Sequence, residues 1–455
     1  MNLLVEYFAD KTAAEKCRVT IGESMLAGTA VVRYQCALVV WRKVNSDASK
    51  QGSLGGPTVY AMKVRSLTLL LIAEVTGMGL WFITAAVLPD LVRETNLSPW
   101  RQAALSSAVQ AGFVAGALLS AILGIADRYD PRRVFTIAAV SAGFVNASLL
   151  ILDPASDLAI AARFMTGALL AGVYPVGMKI VVGWGVKDRG FLVGALVGAL
   201  TLGAAVPHIL AYGGGTDWRL TIALASLAAI VGGVLCLFIS LGPHHSTAAR
   251  FDPRVIGQAW TNRRVRLAYG GYLGHMWELY AMWAWISVAT VISYNATMPE
   301  ADAQALAKLT AFSAIAAGGV ASVFAGLAAD KVGKSEVAIA AMAVSGTCAV
   351  LTGLTFGGLA WLTFVIVFFW GLSIAPDSAQ FSALVADATP PDQAGSLMTF
   401  QTALGFTLTF ATVQLTPVAA DMLGWPAVLA MLGAGPALGI VSMLRLRAMG
   451  PANQD

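Results

Sequence analysis

The sequence has few charged residues. Asp, Glu, Lys and Arg make up only 12% of its 455 residues, whereas a soluble globular domain has roughly 25%. Hydrophobic residues make up 57%, and the mean hydropathy is +0.72. This composition indicates an integral membrane protein. Because lipid offers no hydrogen bonds to the backbone, only helices and closed barrels cross a bilayer, and long apolar runs without two-residue alternation favour helices.

Cysteine and the common catalytic motifs are also scarce. Cys17, Cys36, Cys236 and Cys348 form no CxxC pair, which argues against a metal site or a disulfide framework. No GxxxxGK[ST] loop is present to hold ATP, and neither G-x-S-x-G nor H-E-x-x-H occurs, so we expect no enzyme, no cofactor and no metal. The net charge of +4 is spread over short loops, which argues against nucleic-acid binding.

Residues 1–61 differ from the rest of the chain. They are polar and charged throughout, and their longest apolar stretch is far too short to span a bilayer. The segment also lacks the order of a signal peptide. We interpret it as a disordered extension or a misplaced start, with a small regulatory segment as the alternative, and Met62 as the more natural beginning.

The remaining sequence contains twelve apolar runs of about the 20 residues needed to cross a bilayer. The longest polar connection, 242–266, divides them six and six. We therefore predict a bundle at 62–241, a linker at 242–266 and a second bundle at 267–455. The predicted spans, numbered one to twelve, lie near 67–89, 103–124, 134–152, 158–182, 191–212, 220–241, 267–291, 309–328, 336–356, 360–384, 396–417 and 426–444.

Lysine and arginine are distributed unequally between the two sets of loops. One set, which includes the termini and the linker, holds most of them, whereas the other holds only Arg93, Arg101, Arg219 and Lys308. By the positive-inside rule, both termini are predicted to be cytoplasmic. We expect a multi-pass protein of a bacterial inner membrane.

Four spans at equivalent places in the two halves carry small residues at every fourth position. Such stripes let helix backbones approach closely in lipid. Their symmetry favours helices that slide against each other between the halves, with static packing as the alternative. The stripes are Ala108, Gly112, Gly116, Ser120 and Gly124 in span two, Ala314, Gly318, Ser322 and Gly326 in span eight, Gly190, Gly194 and Gly198 in span five, and Gly395, Thr399 and Ala403 in span eleven.

Two loops and one span have a familiar pattern. The loop after span eight reads GLAADKVGK, and its counterpart after span two reads GIADRYDPRR. The first resembles the signature loop of the major facilitator superfamily at Gly326, Asp330, Lys331, Gly333 and Lys334. The second keeps Asp127, Arg128, Arg132 and Arg133 but has Asp130-Pro131 where a glycine and a base are expected. Span four adds RFMTGALLAG, from Arg163, which resembles the pattern of that superfamily's fourth helix.

The resemblance covers about 62–455 and implies the major facilitator fold: an all-α membrane protein with two pseudo-symmetric six-helix bundles that rock about a central cavity. Spans one, four, seven and ten then line the cavity, and spans two, five, eight and eleven form the sliding contacts. The loop bases are either topology signals or, with Asp127 and Asp330, a gating latch. A weaker resemblance is to carriers of nitrate, cyanate and other small anions.

Several spans contain ionisable residues, which are functional candidates because their burial in lipid is costly. Glu74 in span one and Arg163 in span four lie at depths from which they can meet, so we predict that they pair. The pair is either a structural brace or, through its arginine, an anion-binding site. His208, near the outer end of span five, is expected to be hydrated.

Span seven reads GGYLGHMWELYAMWAW over residues 270–285. His275, Glu278, Met282 and Trp285 recur at helical spacing and share one face, which we expect to point at the cavity. A His275–Glu278 pair can couple proton movement to substrate movement, or it can simply brace the helix. One H-x-x-E without further ligands is too little for a metal.

Three further residues are candidates for the cavity. Asp377 follows Pro376 in span ten and is predicted either to satisfy backbone donors freed by a break or to take part in coupling. Trp81 and Tyr280 are candidate cavity-lining aromatics, with packing as the alternative. Together these patterns predict a monomeric secondary transporter for a small solute, with anions as the candidate substrate class and proton coupling as the candidate driving force. The alternatives are a uniporter and a non-transporting sensor.

Overall fold

The computed structural model describes residues 57–95, 97–185, 189–214, 217–243 and 253–450. The chain divides into two compact units, Met1–Met62 and Lys63–Asp455. Of the first unit only residues 57–62, at the start of a helix, are described, so the predicted extension lies almost wholly outside the described residues. The contacts below all lie within the second unit.

The described chain is almost entirely helical, and each predicted span corresponds to one helix or to a pair of helices in line. Spans one, four, ten and twelve are each interrupted by a short turn. In order, the spans are Pro57–Met78 with Ile83–Thr95, Pro99–Leu123, Pro131–Ala147, Asp157–Leu170 with Tyr174–Trp184, Arg189–Gly213, Trp218–Leu235, Arg263–Tyr294, Glu300–Val332, Lys334–Leu354, Ala360–Ile374 with Ser378–Asp387, Pro391–Leu423, and Trp425–Leu432 with Ala434–Arg447.

Eleven of these spans are long and apolar enough to cross a membrane. The exception among the twelve predictions is span seven. It is 32 residues long, or about 48 Å at 1.5 Å per residue, so its length suffices. Its tryptophans, tyrosines and Glu278 lower its hydropathy, and most of these side chains are buried in protein rather than exposed at the surface.

The helix ends follow from local sequence. Ser98 accepts a hydrogen bond from the backbone N–H of Arg101 at the start of span two, and Asp217 caps span six in the same way. Such side chains satisfy backbone donors that the first turn leaves free. Gly333 joins spans eight and nine at φ 108°, a backbone conformation that side chains with a Cβ rarely adopt.

The packing of the helices repeats between the two halves. Span two packs on span four as span eight packs on span ten, and span three packs on span six as span nine packs on span twelve. Across the halves, span five packs on span eight, span two on span eleven and span one on span seven. These paired contacts confirm the predicted architecture of two pseudo-symmetric six-helix bundles. We call the end at which span six leads into span seven the linker side, and the opposite end the far side.

The small-residue stripes do not all face the other half. A Cβ placed on Gly112 of span two would collide with the carbonyl oxygen of Phe164 in span four. A Cβ on Gly318 of span eight would lie 2.5 Å from the carbonyl oxygen of Gly371 in span ten. The prediction that these stripes face the other half is therefore wrong at Gly112 and Gly318, because both positions pack inside one bundle.

The stripe of span five does lie between the halves. A Cβ on Gly198 would lie 2.9 Å from the carbonyl oxygen of Gly319 in span eight, and one on Gly194 would lie 3.7 Å from the carbonyl oxygen of Ser322. A Cβ on Gly395 of span eleven would meet nothing within 4 Å. A spacing of four residues thus identifies a smooth helix face but not the neighbour of that face.

Gly371→Ala is expected to destabilise the protein by about 1–3 kcal/mol, the usual cost of overpacking. The added methyl group would collide with the carbonyl oxygen of Ala314, and two helix backbones would have to move apart. Gly395→Ala is the matched control, since its methyl group enters open space. Thermal unfolding in detergent measures both variants, and equal melting temperatures would contradict the assigned packing.

Candidate functional site

Six aromatic side chains meet where the two halves face each other, and we call them the central aromatic cluster. Three belong to the N-terminal half and three to the C-terminal half. Ring centroids across the interface are 4.8–5.8 Å apart, within the range of favourable aromatic contacts. The members are Trp81, Phe82 and Phe113 on one side and Tyr280, Trp283 and Phe406 on the other.

The cluster contains polar groups that the surrounding protein does not satisfy. The indole N–H groups of Trp81 and Trp283 are buried without a hydrogen-bond partner, and so is the hydroxyl of Ser287, one turn along span seven from Trp283. A buried donor left unpaired costs about 1–3 kcal/mol. Each half therefore contributes an indole donor that an oxygen atom of a bound solute can satisfy.

Arg163 lies beside the cluster and is completely buried. It donates to the carbonyl oxygens of Leu80 at 3.0 Å, Trp81 at 2.7 Å and Leu105 at 3.3 Å, and to Oδ1 of Asn146 at 2.9 Å. Leu80 and Trp81 lie in the turn that interrupts span one. The guanidinium thus binds carbonyl groups at the break of span one. Its several N–H donors in a rigid planar arrangement are well suited to bind several carbonyl oxygens at once.

The predicted pairing of Glu74 with Arg163 is wrong. Both carboxylate oxygens of Glu74 are buried and have no hydrogen-bond partner, while Arg163 is occupied by oxygen atoms of spans one, two and three. The sequence indicated only that the two residues lie at compatible depths. The break in span one exposes carbonyl groups to Arg163. The spacing of charged residues in the sequence does not predict this break.

His275 of span seven pairs with Asp377 of span ten. Its Nδ1 lies 2.9 Å from Oδ1 of Asp377, and both side chains are almost fully buried. The contact has the distance of an ion pair but not the alignment of a hydrogen bond, because Asp377 Oδ1 has no hydrogen-bond partner. The other ring nitrogen of His275, Nε2, is also buried without a partner. Asp377 follows the break in span ten but makes no capping hydrogen bond, so the prediction that it satisfies freed backbone donors is wrong.

Glu278 has partners other than His275. It accepts hydrogen bonds from the hydroxyl of Ser345 at 2.9 Å and from the indole of Trp370 at 2.7 Å. Both donors belong to spans nine and ten, inside the C-terminal half. The predicted His275–Glu278 pair is therefore wrong. The face that carries these residues points into its own bundle, whereas Tyr280 and Trp283 on the same helix reach the cluster.

The predicted ionisable groups occupy separate places rather than one chamber. Arg163 and Glu74 lie in the N-terminal half with different neighbours, and the His275–Asp377 pair and Glu278 lie in the C-terminal half. His208, expected to be hydrated, is fully buried and has no hydrogen-bond partner. The expectation that these groups share an aqueous cavity is not met in this conformation, because neighbouring helices enclose each group.

A buried ion pair joins the two halves on the far side. Nζ of Lys308 in span eight lies 2.7 Å from Oδ2 of Asp90 in span one and 3.3 Å from the carbonyl oxygen of Ala211 in span five. Arg93 also contacts Asp90 at 2.8 Å and approaches Glu300 at 3.8 Å. Sequence reasoning missed this pair, which we call the far-side ion pair. The sequence offered one signal for it: an acid and a base near the far-side ends of two spans.

A cavity of about 300 Å³ lies on the far side between the halves. Its lining includes Arg93, Glu300 and Gln304, with prolines from spans one, two and eleven. Nearby, the hydroxyl of Ser107 donates to Oε1 of Gln414 at 2.6 Å and so ties span two to span eleven. The far side is thus held together by polar contacts that cross between the halves.

The signature loops lie on the linker side. The predicted gating latch involves Asp127 and Asp330, whose side chains are outside the described residues. The neighbouring bases Arg128, Arg133 and Lys331 are exposed. Gly326 lies within span eight, and Gly333 forms the turn after it. Lys334 contacts Asp387 at the end of span ten, 2.5 Å away.

In the loop after span two, Arg132 pairs with Asp130, at 2.6 Å between Nη2 and Oδ2. Asp130 also caps span three through the backbone N–H of Arg132. The hydrogen bond from the Arg132 side chain holds the pKa of the Asp130 carboxyl below its ordinary value. Asp130, which departs from the expected pattern, is therefore part of the local structure of this loop.

Comparison with known proteins places this architecture in a family. Residues 69–406 match the family model of the Major Facilitator Superfamily. The chain belongs to the Major Facilitator Superfamily. The resemblance stated from the two loops and span four is thus confirmed, and with it the assignment as a multi-pass membrane protein of a transporter family.

Similar proteins of this superfamily have several substrates. A gallate transporter from Pseudomonas putida is 31% identical over 179 residues, which are 36% of this chain and 39% of that protein. The match thus spans about two fifths of that relative. The structure of a D-xylose-proton symporter superimposes with a TM-score of 0.66 at 13% identity, covering 84% of this chain and 97% of that one. The structure of the nucleoside transporter NupG superimposes with a TM-score of 0.63 at 13% identity, covering 86% of this chain and 100% of that one.

Proposed function

We propose that this protein is a proton-coupled secondary transporter of small aromatic carboxylates, and that the central aromatic cluster is its substrate site. The observation that carries the proposal is the pair of unpartnered indole donors, Trp81 from one half and Trp283 from the other, within a cluster of rings. A flat aromatic solute stacks on such rings. Its oxygen atoms satisfy the two donors, and so it contacts both halves.

Electrostatics favours an anion at this site. The four hydrogen bonds of Arg163 go to three backbone carbonyls and one amide, so within the described residues no carboxylate neutralises its charge. A buried charge without a counter-ion is costly, and it attracts a carboxylate brought close to it. The hydrogen bond from Arg163 to the carbonyl of Trp81 links this charge directly to the aromatic cluster. The gallate transporter that the chain resembles supports the same substrate class.

Proton coupling is assigned to the His275–Asp377 pair. An imidazole and a carboxyl group can each carry a proton, and these two groups lie 2.9 Å apart. Because span seven carries both this pair and the cluster residues Tyr280 and Trp283, a change at the pair can alter the position of the helix at the substrate site. Proton uptake and substrate binding then act on the same helix.

The transport cycle follows from the contacts between the halves. The far-side ion pair and the Ser107–Gln414 hydrogen bond close the far side, and the rings of the cluster meet directly at the centre. A solute that enters the cluster has to separate these rings. Separation of the two halves on one side at a time is the simplest motion that moves the solute across.

Uptake into proteoliposomes that contain the purified protein tests the proposal. Gallate is expected to be taken up in preference to D-xylose and uridine, and an acidic exterior should raise its accumulation, whereas a protonophore should abolish it. Gallate uptake that is the same with and without an imposed pH gradient would indicate a uniporter and overturn the proposed proton coupling. Failure to transport gallate, benzoate and 4-hydroxybenzoate would overturn the substrate class.

Trp81→Phe and Trp283→Phe are each expected to raise the KM for gallate roughly tenfold, since each removes a hydrogen bond to a charged group and keeps a ring in place. Trp361→Phe is the matched control, because Trp361 is 63% exposed on span ten. Initial uptake rates at a series of gallate concentrations give the values. An unchanged KM in both variants would remove the cluster as the binding site.

A further inference from the structure

Glu74 is the most unusual carboxyl group in the N-terminal half. It is 0% exposed, and neither oxygen has a hydrogen-bond partner. A Cβ on Gly177 of span four would lie 2.7 Å from its Oε2, so the glycine leaves the space that the carboxyl group occupies. The side chain is thus enclosed between spans one and four, on the linker side of the break in span one.

No cation forms an ion pair with Glu74 among the described residues. Arg163, the partner that depth suggested, is bound to oxygen atoms of spans one, two and three. Two titratable side chains lie within electrostatic range, Tyr174 of span four and Cys236 after span six. A phenol and a thiol are both uncharged at neutral pH, and neither offsets a negative charge on Glu74.

An ionised carboxylate in these surroundings is strongly disfavoured. Removing an unpaired charge from water costs several kcal/mol even after relaxation, and a buried group instead takes up a proton and becomes neutral. Glu278 is equally buried, but the hydroxyl of Ser345 and the indole of Trp370 donate hydrogen bonds to it. Among the described carboxyl groups, only Glu74 has two buried oxygens without a hydrogen-bond partner.

We propose that Glu74 is a second proton-binding site of the transporter, in the N-terminal half and separate from the His275–Asp377 pair, which holds a proton in this conformation and releases it once per cycle. The proposal rests on the proposed function for the driving ion and the solute. Tyr174 lies within electrostatic range of both Glu74 and Tyr272 of span seven. When spans four and seven separate on the linker side, water reaches Glu74 and its proton can leave.

A second proton changes the charge balance of transport. A singly charged aromatic carboxylate that moves with one proton carries no net charge, whereas the same anion with two protons carries one positive charge. Uptake by the intact protein is therefore expected to be stimulated by a membrane potential that is negative inside. Glu74→Gln, an isosteric neutral side chain, should keep the fold, because it resembles the protonated carboxyl group already enclosed there.

The first measurement follows gallate uptake into proteoliposomes with and without a potassium diffusion potential. The intact protein should show several-fold stimulation by an inside-negative potential, and Glu74→Gln should lose it while retaining gallate counterflow, which needs no net proton movement. Asp302→Asn is the control, since Asp302 is exposed, and it should behave as the unmodified chain. Electroneutral uptake by the intact protein, or undiminished stimulation in Glu74→Gln, overturns the proposal.

The second measurement does not depend on the solute. The infrared C=O stretching band of a protonated carboxyl group should be present at neutral pH in the intact protein and reduced in Glu74→Gln but not in Asp302→Asn. An unchanged band in Glu74→Gln would mean that Glu74 is ionised, which overturns the proposal. If gallate and related acids are not transported at all, the proposed function fails, and the band still decides whether Glu74 holds a proton.

Discussion

Arg163→Lys is expected to reduce gallate uptake at least roughly tenfold and to lower the thermal stability of the protein. The guanidinium makes four hydrogen bonds to groups of spans one, two and three, whereas a lysine has three donors on a single nitrogen and cannot reach all of these acceptors. Each lost hydrogen bond to a charged group costs about 1.5–3 kcal/mol. Uptake rates and thermal unfolding in detergent measure the two effects.

The control for Arg163→Lys is Arg101→Lys. Arg101 contacts Asp157 at 3.1 Å, but the two side chains are 35% and 91% exposed, and exposed pairs contribute little to stability. We expect a change within about 0.5 kcal/mol for this control. If Arg163→Lys unfolded at the same temperature and transported as fast as the unmodified chain, the bracing of span one by Arg163 would be refuted.

A second variant separates the bracing role of Arg163 from its charge. Arg163→Gln removes the charge and keeps one amide donor. If the charge attracts the substrate carboxylate, this variant should shift preference from gallate toward its uncharged methyl ester in competition assays. A uniform loss of affinity for both compounds would leave Arg163 with a structural role only.

Lys308→Met is expected to open the far side. The far-side ion pair is buried, at 4% and 2% side-chain exposure, and removal of one partner of a buried pair typically costs about 3–5 kcal/mol, because the other charge remains without compensation. Asp90 would keep Arg93 but lose its contact with the C-terminal half. The closed far side then loses stability relative to conformations in which water hydrates Asp90.

Labelling with a maleimide at an introduced cysteine measures this opening. Val288→Cys is suitable, since Val288 lines the far-side cavity. We expect Lys308→Met to raise its labelling rate roughly tenfold or more, the change that 1.4 kcal/mol or more produces. The double variant Asp90→Asn with Lys308→Met removes both charges and should fall back toward the original rate, because neither partner is then left uncompensated.

The control for the far-side ion pair is Arg219→Met. Arg219 pairs with Glu94 at 2.8 Å on the same side of the molecule, but both residues belong to the N-terminal half and are about half exposed. Loss of this pair does not separate the halves. Equal labelling rates in Lys308→Met and Arg219→Met would show that the far-side ion pair does not hold the halves together.

The positions of the helices were predictable from the sequence because bilayer crossing is a local requirement. About twenty apolar residues in succession are needed whatever the neighbouring helices are, so the limits of spans two and five followed from hydropathy alone. Span eight was predicted at 309–328, but its helix begins earlier, at Glu300, with a more polar first part. Helix ends were equally local. Span seven was located correctly although Glu278 and its aromatic residues make it the least apolar of the twelve, because the run as a whole is long.

The partners of the candidate site residues were not predictable in the same way. Depth along a helix is readable from the chain, and it placed Glu74 and Arg163 at compatible levels. The direction in which each side chain points depends on the rotation of its helix about the axis, and Arg163 instead reached the carbonyl of Trp81. The same limit applies to Gly112, whose smooth face packs inside its own bundle rather than against the other half.

The sequence by itself determined a helical membrane protein of twelve spans in two related halves and, through two loops and span four, its superfamily, since hydropathy, helix caps and loop motifs each act over a few neighbouring residues. Only the tertiary structure decided that Trp81 and Trp283 belong to one aromatic cluster, that Lys308 contacts Asp90 and that Glu74 has no hydrogen-bond partner. These outcomes depend on how whole helices rotate and cross, and in a bilayer that is settled by packing between residues hundreds of positions apart.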